Sequence, residues 1–193
     1  RLVGSEMCIR DRSGNIVVGG TTYGAAASGP GVSTFPVTAG AWDATKYGGT
    51  TESDGFVAKL PRSLAALSWS TYVGDAGDDV LGQIDVDAGG AVYVTSSSAG
   101  ALPTSVNAFD TTNNGGTDTW VGRIAASGAS LEYGTWLGGA GNETGASSVR
   151  AVSASKVYVG TVATTGFPTS ALGQVETPAT FGNALAVLDP TAS

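Results

Sequence analysis

The chain of 193 residues contains no histidine and a single cysteine, Cys8. The absence of histidine removes the commonest general base and the commonest transition-metal ligand. A lone cysteine cannot form a disulfide within the chain. Any hydrolytic site would therefore have to use carboxylates or tyrosines.

Charge is also scarce. Only 13% of the residues are charged, and nine basic against sixteen acidic residues give a net charge of −7. Nucleic acids and anionic membrane surfaces require clustered Lys and Arg, and here basic residues cluster only within residues 1–12. No apolar run approaches the roughly 18–20 residues that span a bilayer. The composition therefore predicts neither a nucleic-acid partner nor membrane insertion.

Short segments recur at a nearly constant spacing in this chain, which is rich in glycine. The recurring sets are Phe56–Leu60, Trp120–Ile124 and Ala184–Leu188; Asn15–Val18, Ala91–Val94 and Lys156–Val159; and Phe35-Pro36, Leu102-Pro103 and Phe167-Pro168. A fixed period of roughly 65 residues indicates a repeat architecture, in which each unit buries its apolar face against the next.

The middle unit predicts four β-strands separated by glycine-rich turn signals. They are Leu81–Asp87, Ala91–Ser97, Thr117–Ala125 and Ala129–Leu137. Four antiparallel strands in each unit are typical of a β-propeller blade. Tandem β-sandwiches and a β-solenoid are the alternatives, but a sandwich needs about 100 residues and solenoid coils are usually shorter than this unit. The predicted fold is all-β, a β-propeller segment of about three four-stranded antiparallel blades.

The repeat divides one array into four parts. Residues 13–80 form a partial blade with an interblade turn, 81–145 a complete blade and 146–193 an incomplete one, while residues 1–12 stand apart. A closed ring needs at least four blades. We therefore expect the chain to be an internal piece of a longer protein, whose remaining blades are its nearest partners.

The first twelve residues look foreign to the repeat. They hold the only cysteine and the only methionine. When Gly14 is aligned with Gly90, Arg10 falls opposite Val86 on the buried face of a strand, where an unpaired charge is costly. This segment resembles translated sequencing-adapter contamination; the alternative is a genuine divergent strand.

The repeated words resemble the SBBP repeat, a bacterial family named for a seven-bladed β-propeller. The resemblance runs from Ser13 to about Ala192. The words that carry it are Asp54–Leu60 (DGFVAKL), Leu67–Asp79 (LSWSTYVGDAGDD), Gly82–Asp87 (GQIDVD), Gly90–Thr95 (GAVYVT) and Phe35–Thr38 (FPVT). The resemblance implies a secreted or cell-surface bacterial protein and implies no defined activity.

An acidic turn offers a candidate metal site. It carries Asp75, Asp78 and Asp79, and the matching turn of the next unit carries Asn142 and Glu143. Oxygen ligands in a glycine-rich loop could hold Ca²⁺. The alternative, which we favour, is that these side chains cap the backbone of the turn. No other cofactor is expected.

Asp54 and Asp118 precede the third strand of two successive units. A catalytic carboxylate pair is one interpretation. Their recurrence at one position favours a structural role, in which each satisfies backbone N–H groups. We therefore predict no catalytic residue.

Aromatic residues that recur in phase are typical of packing between units. Trp42 matches Phe109 within a long connection, and Tyr47 lies nearby. These three are the candidates for a face that binds a glycan or a protein.

Three functional hypotheses follow. The first is a non-enzymatic propeller repeat region of an extracellular or cell-surface bacterial protein, which serves in adhesion or as a structural scaffold. The second is a propeller-type carbohydrate-active enzyme, a glycosidase or lyase that uses acidic residues. The third is a surface array stabilised by Ca²⁺.

Overall fold

A computed structural model describes residues 7–23, 35–48, 51–144, 147–168 and 182–192. These residues form eleven β-strands and no helix, and hence no helix that could cross a membrane. The strands are β1 Met7–Arg10, β2 Ile16–Tyr23, β3 Ser53–Leu60, β4 Trp69–Val73, β5 Asp79–Val86, β6 Val92–Ser98, β7 Asp118–Ile124, β8 Leu131–Leu137, β9 Ser148–Ser153, β10 Lys156–Ala163 and β11 Gly182–Leu188.

The strands form three antiparallel sheets in which chain neighbours are also neighbours in space. The orders are β1-β2-β3-β4, β5-β6-β7-β8 and β9-β10-β11. The all-β prediction is confirmed, and the four strands predicted for the middle unit appear as β5 to β8. The boundary predicted after residue 80 lies inside β5, and the boundary after residue 145 lies outside the described residues.

The first and second sheets pack together through one apolar cluster, and β5 contacts β1, β2 and β3. The buried members of the cluster are Val17, Val57, Trp69, Val73, Leu81, Ile84, Val92, Val94, Leu102, Trp120, Ile124 and Trp136. The second and third sheets share another cluster, in which β9 contacts β5 and β6. Its buried members are Tyr93, Val121, Tyr133, Leu137, Val149, Ala151, Val157, Val159, Ala163, Phe167, Ala184, Ala186 and Leu188.

Equivalent positions make equivalent contacts in the two clusters. Val57 in the first cluster and Val121 in the second occupy the same position of successive units, and each points from its own sheet towards the next. On the receiving faces, Ile84 and Val149 are equivalent in the same way. Because side chains alternate across a strand, adjacent residues such as Trp120 and Val121 enter different clusters. The second sheet therefore uses one face for the preceding sheet and the other for the following sheet.

Part of the segment that the sequence sets apart is a strand in the structure. Met7–Arg10 pairs antiparallel with β2, and Met7 and Ile9 pack against the first cluster. The expectation that Arg10 would lie on a buried face is wrong, because its side chain is exposed. No sheet of the described residues covers that face of the first sheet, so the guanidinium reaches solvent.

The turn after β1 has the same construction as the turn after β5. Asp11 Oδ1 accepts hydrogen bonds of 2.9 Å from the backbone N–H groups of Ser13 and Asn15. Asp87 Oδ1 accepts the corresponding bonds after β5. Gly14 and Gly90 adopt φ values of 81° and 87°, which favour glycine. Asp11 thus occupies the position of Asp87 in the repeat.

Candidate functional site

The three aspartates of the first acidic turn each accept hydrogen bonds from the backbone. Asp75 Oδ1 accepts one from Gly77 N at 2.9 Å, and Asp79 Oδ2 accepts one from Asp75 N at 2.6 Å. Asp78 Oδ1 accepts bonds from the N–H and the hydroxyl of Ser53, at 2.8 and 2.9 Å. These contacts tie the turn together and join it to the start of β3.

The matching turn is held in the same way. Asn142 Oδ1 accepts a hydrogen bond from Thr117 N at 3.1 Å, which corresponds to the bond from Ser53 N to Asp78 Oδ1. The Glu143 carboxylate accepts bonds from Gly139 N at 3.1 Å and from Thr164 N at 3.0 Å. Glu143 therefore links the second sheet to the loop that follows β10.

The predicted Ca²⁺ ligands do not form one site. They lie in two turns that join different pairs of sheets, and within the described ranges no three His, Cys, Asp or Glu side chains gather around a common point. Most of their oxygens already accept backbone N–H groups. The geometry thus favours turn capping over a Ca²⁺ site formed by these five residues.

Asp54 and Asp118 are fully buried and play matching roles. Tyr47 N donates to Asp54 Oδ2 at 2.9 Å, and Asn114 N donates to Asp118 Oδ2 at 2.8 Å. Gly74 and Gly138 leave room for the two carboxylates, because a Cβ at either glycine would overlap the neighbouring aspartate. Each aspartate thereby fastens a long connection to its strand.

Burial strongly raises the pKa of two of these carboxyl groups. Burial raises the pKa of Asp79 to about 7, with a further increase from the carboxylates of Asp75 and Asp54. Burial also raises the pKa of Asp118 to about 7, and the adjacent carboxyl of Glu143 adds to the increase. One oxygen of each group, Asp79 Oδ1 and Asp118 Oδ1, has no hydrogen-bond partner among the described residues.

Trp42 is partly buried and packs against the cluster between the first and second sheets. Its ring stacks on that of Trp120, with ring centroids 6.3 Å apart and 5° between the ring planes. Its backbone N–H donates to Gly128 O at 2.8 Å. Trp42 therefore contributes to the interface between the first and second sheets, and one face of its ring is covered by Trp120.

Phe109 has the corresponding role in the next unit, and Tyr47 differs from both. Phe109 packs against the cluster between the second and third sheets and lines a groove of about 380 Å³ together with Asp110 and Asn114. Tyr47 is 41% exposed. The structure does not bring these three aromatic residues together, because Trp42 and Phe109 belong to successive interfaces.

A second groove lies along β5 and β9, where the sequence suggested no site. It has a volume of about 460 Å³ and includes Gln83, Asp85, Arg150 and Tyr158 in its lining. Asp85 Oδ2 accepts a hydrogen bond of 2.8 Å from Ala151 N and lies 3.4 Å from Arg150 Nη1. Asp85 and Arg150 occupy the same position of successive units, so opposite charges at one repeat position were the signal that could have revealed this contact.

No protein-family model matches the chain, and no curated protein matches it significantly. The described geometry and the repeat therefore carry the functional argument.

Proposed function

We propose that the chain is a non-enzymatic β-propeller repeat region that serves as a scaffold for binding or adhesion. In this proposal each sheet is one blade with the period of the sequence repeat, and the long connections form the surface that meets a glycan or protein ligand. The resemblance to SBBP repeats extends the proposal to an extracellular or cell-surface bacterial protein.

The observation that carries the proposal is the equivalence of the two interfaces between sheets. Val57 and Val121 occupy one repeat position in successive sheets. Val57 lies in the same cluster as Ile84, and Val121 lies in the same cluster as Val149, the residue equivalent to Ile84. A stack in which every sheet has one donating and one receiving face can continue in both directions. Propellers use this kind of blade-on-blade packing, so the proposal needs no interface beyond the one already present.

The state of the acidic residues supports a scaffold over a carbohydrate-active enzyme. A glycosidase needs two carboxyl groups that face a substrate across a cleft. Asp54, Asp118 and Glu143 are buried, and each accepts backbone hydrogen bonds. Most of their oxygens therefore serve the turns, and no acidic pair of the described residues lines either groove.

The test is to lengthen the array by one unit. A copy of residues 80–143 inserted after Glu143 would keep the whole chain and add one more interface of the existing kind. We expect the longer protein to fold cooperatively and to melt at a higher temperature than the original, because repeat stability rises with the number of interfaces. A matched control carries a shuffled copy of the same segment, with identical length and composition.

An inserted copy that stays unfolded, as the shuffled control should, would overturn the repeat-scaffold proposal. A parallel assay incubates the original chain with a panel of bacterial and plant polysaccharides and measures released reducing ends. Turnover that is lost when Asp54 or Asp118 is replaced by Asn, in variants that remain folded, would favour the enzyme instead.

A further inference from the structure

The first unit contains an ammonium group at a buried acidic position. Lys46 Nζ lies 2.9 Å from Asp54 Oδ1 and 3.2 Å from the carbonyl oxygen of Glu52, and it also donates to the carbonyl of Tyr47. The side chains of Lys46 and Asp54 are 7% and 0% exposed. One carboxylate oxygen and two carbonyl oxygens thus surround a single positive charge.

The second unit repeats this site. The two connections follow the same path, since Asp43 N and Asp110 N each donate to a threonine hydroxyl at 2.9 Å. The backbone bond to Asp118 Oδ2 likewise matches the bond to Asp54 Oδ2. Asn113 stands at the position of Lys46 in the next unit, just as Asp110 stands at the position of Asp43.

The positive charge is missing from the second site. Asn113 Nδ2 donates to the carbonyl oxygen of Ser98 at 3.2 Å. Asp118 Oδ1, the counterpart of the oxygen that Lys46 holds, is buried and accepts no hydrogen bond from the described residues. A buried oxygen of a carboxylate without a donor is costly. The second site therefore lacks the cation of the first and has the same carboxylate.

Additional negative charge surrounds this oxygen. The Glu143 carboxyl lies beside Asp118, close enough for the two groups to share a proton in a hydrogen bond, and Asp110 adds a second acidic neighbour. At pH 8 this proton is given up and both groups can act as carboxylates. No salt bridge to Asp118 is found within the portion of the chain that the structure describes. Two buried carboxyl groups with carbonyl oxygens nearby form the ligand set that hard divalent cations prefer, and Ca²⁺ tolerates irregular geometry better than Mg²⁺ does.

We propose that the second unit binds one Ca²⁺ ion at Asp118 Oδ1, in the place that the Lys46 ammonium occupies in the first unit. Glu143 supplies the second carboxylate. By their position in the repeat, the carbonyl groups of Asn114 and Gly116 correspond to those of Tyr47 and Glu52, and water completes the coordination. This ion differs from the one considered for the acidic turns, because it is centred on the start of β7 and needs only two carboxylates.

The first experiment measures the melting temperature of the intact chain, at pH 8 and after treatment with EDTA, against added CaCl₂. Sites of this kind in extracellular proteins bind Ca²⁺ with Kd on the order of 10⁻⁴ to 10⁻³ M. We expect a saturable rise of roughly 5 °C when Ca²⁺ reaches about 100 times Kd. An unchanged melting temperature up to that concentration would overturn the proposal.

Two variants test the location of the site. Asn113→Lys restores the ammonium of the first unit, so this variant should match the Ca²⁺-saturated protein without Ca²⁺ and should no longer respond to it. Asp118→Asn removes the central ligand and should also abolish the response. A lysine at the exposed position 129, Ala129→Lys, adds the same charge elsewhere and should leave the response intact. A full response in the folded Asn113→Lys or Asp118→Asn protein would refute the location.

A reciprocal variant tests the equivalence of the two units. Lys46→Asn should leave the Asp54 carboxylate without its ammonium, with Asp79 at the position that Glu143 has in the second unit, so the stoichiometry of Ca²⁺ in isothermal titration should rise from one ion to two. A stoichiometry that remains at one in a folded Lys46→Asn protein would mean that the missing ammonium does not create a site, which contradicts the proposal.

Discussion

The indole ring of Trp42 lies parallel to that of Trp120, with 6.3 Å between the ring centroids and 5° between the ring planes. Trp42 belongs to the connection before β3 of the first sheet, while Trp120 is a fully buried residue of β7 in the second. The stack therefore joins two sheets through a connection whose described residues, 35–48, form no strand or helix. The face of the Trp42 ring that lies against Trp120 is covered and cannot contact a ligand.

Replacing Trp42 by alanine should lower the free energy of unfolding by about 2 kcal/mol, less than for a fully buried tryptophan because the ring is only partly buried. Tyr47→Ala removes an exposed ring from the same connection and should change stability by less than about 0.5 kcal/mol. Urea denaturation of both variants provides the measurement. Equal stability of the two variants would return Trp42 to the list of ligand-binding candidates.

Gly128 is predicted to be the least tolerant of substitution among the turn glycines with positive φ. Its φ is 74°, and a Cβ there would lie 2.6 Å from Trp69 Cγ. Trp69 is itself fixed by a 3.0 Å bond from its Nε1 to Ala126 O. Gly128→Ala should therefore cost about 3 kcal/mol, the sum of a left-handed backbone conformation and a displaced indole.

Gly40→Ala is the matched control for this prediction. Gly40 has a φ of 77°, but nothing lies within 4 Å of its Cβ position. Backbone conformation alone should cost about 1 kcal/mol there. Thermal melts that give the same loss for both variants would show that Trp69 does not restrict position 128.

The strands could be predicted because strand periodicity and turn chemistry are local. Trp120 and Val121 are adjacent in the strand and pack into different clusters. Gly90 lies in a turn that requires its positive φ of 87°. The same reasoning assigned no strand to Met7–Arg10, because an edge strand needs only extended backbone and a partner with free hydrogen-bonding groups. Its composition set it apart, while its pairing depends on β2.

Contacts between units were harder to predict from the sequence. Trp42 reaches Trp120 of the following unit, and the Lys46 ammonium reaches Asp54 from a connection with no periodicity. The alignment of repeats identified Asp54 and Asp118 as equivalent, but it did not show that Asp118 lacks the cation that Asp54 has. That difference depends on the contact between the Lys46 ammonium and Asp54, which only the folded chain shows.

The raised pKa of Asp79 predicts an unusual dependence of stability on pH. Its folded pKa of about 7 lies above the unfolded value of 3.8, so folding binds a proton between these limits. The associated stability is complete below pH 4 and is lost as the pH rises through 7. The lowered pKa values of Asp11 and Asp87 act only at lower pH.

Asp79→Asn provides the measurement, because the amide is a neutral mimic of the protonated acid. Between pH 5 and pH 8 the variant should gain on the order of 2 kcal/mol in unfolding free energy relative to the unsubstituted chain. Denaturant titrations at both pH values, with EDTA present, give this difference. A difference that does not vary with pH would mean that Asp79 is ionised throughout this range.

The hydrogen bond from Ala151 N to Asp85 Oδ2 should contribute more to the interface between the second and third sheets than the ion pair beside it. Asp85 is 3% exposed, and the bond measures 2.8 Å, whereas the Arg150 side chain is 73% exposed and its Nη1 lies 3.4 Å away. Asp85→Ala leaves a buried N–H without an acceptor and should cost about 2 kcal/mol. Arg150→Ala should cost less than about 1 kcal/mol, because solvent screens the pair.

Asp85→Asn separates the acceptor from the charge. An asparagine keeps an oxygen for Ala151 N and removes the charge that faces Arg150, so its stability should lie much closer to that of the unsubstituted chain than to that of Asp85→Ala. Chemical denaturation in low salt and in about 1 M salt, where the Debye length falls to about 3 Å, completes the comparison. If Asp85→Asn were as unstable as Asp85→Ala, and if salt removed the difference from the unsubstituted chain, the charge would hold the two sheets together. The ion pair with Arg150 would then contribute more to stability than the hydrogen bond that Asp85 accepts from Ala151 N.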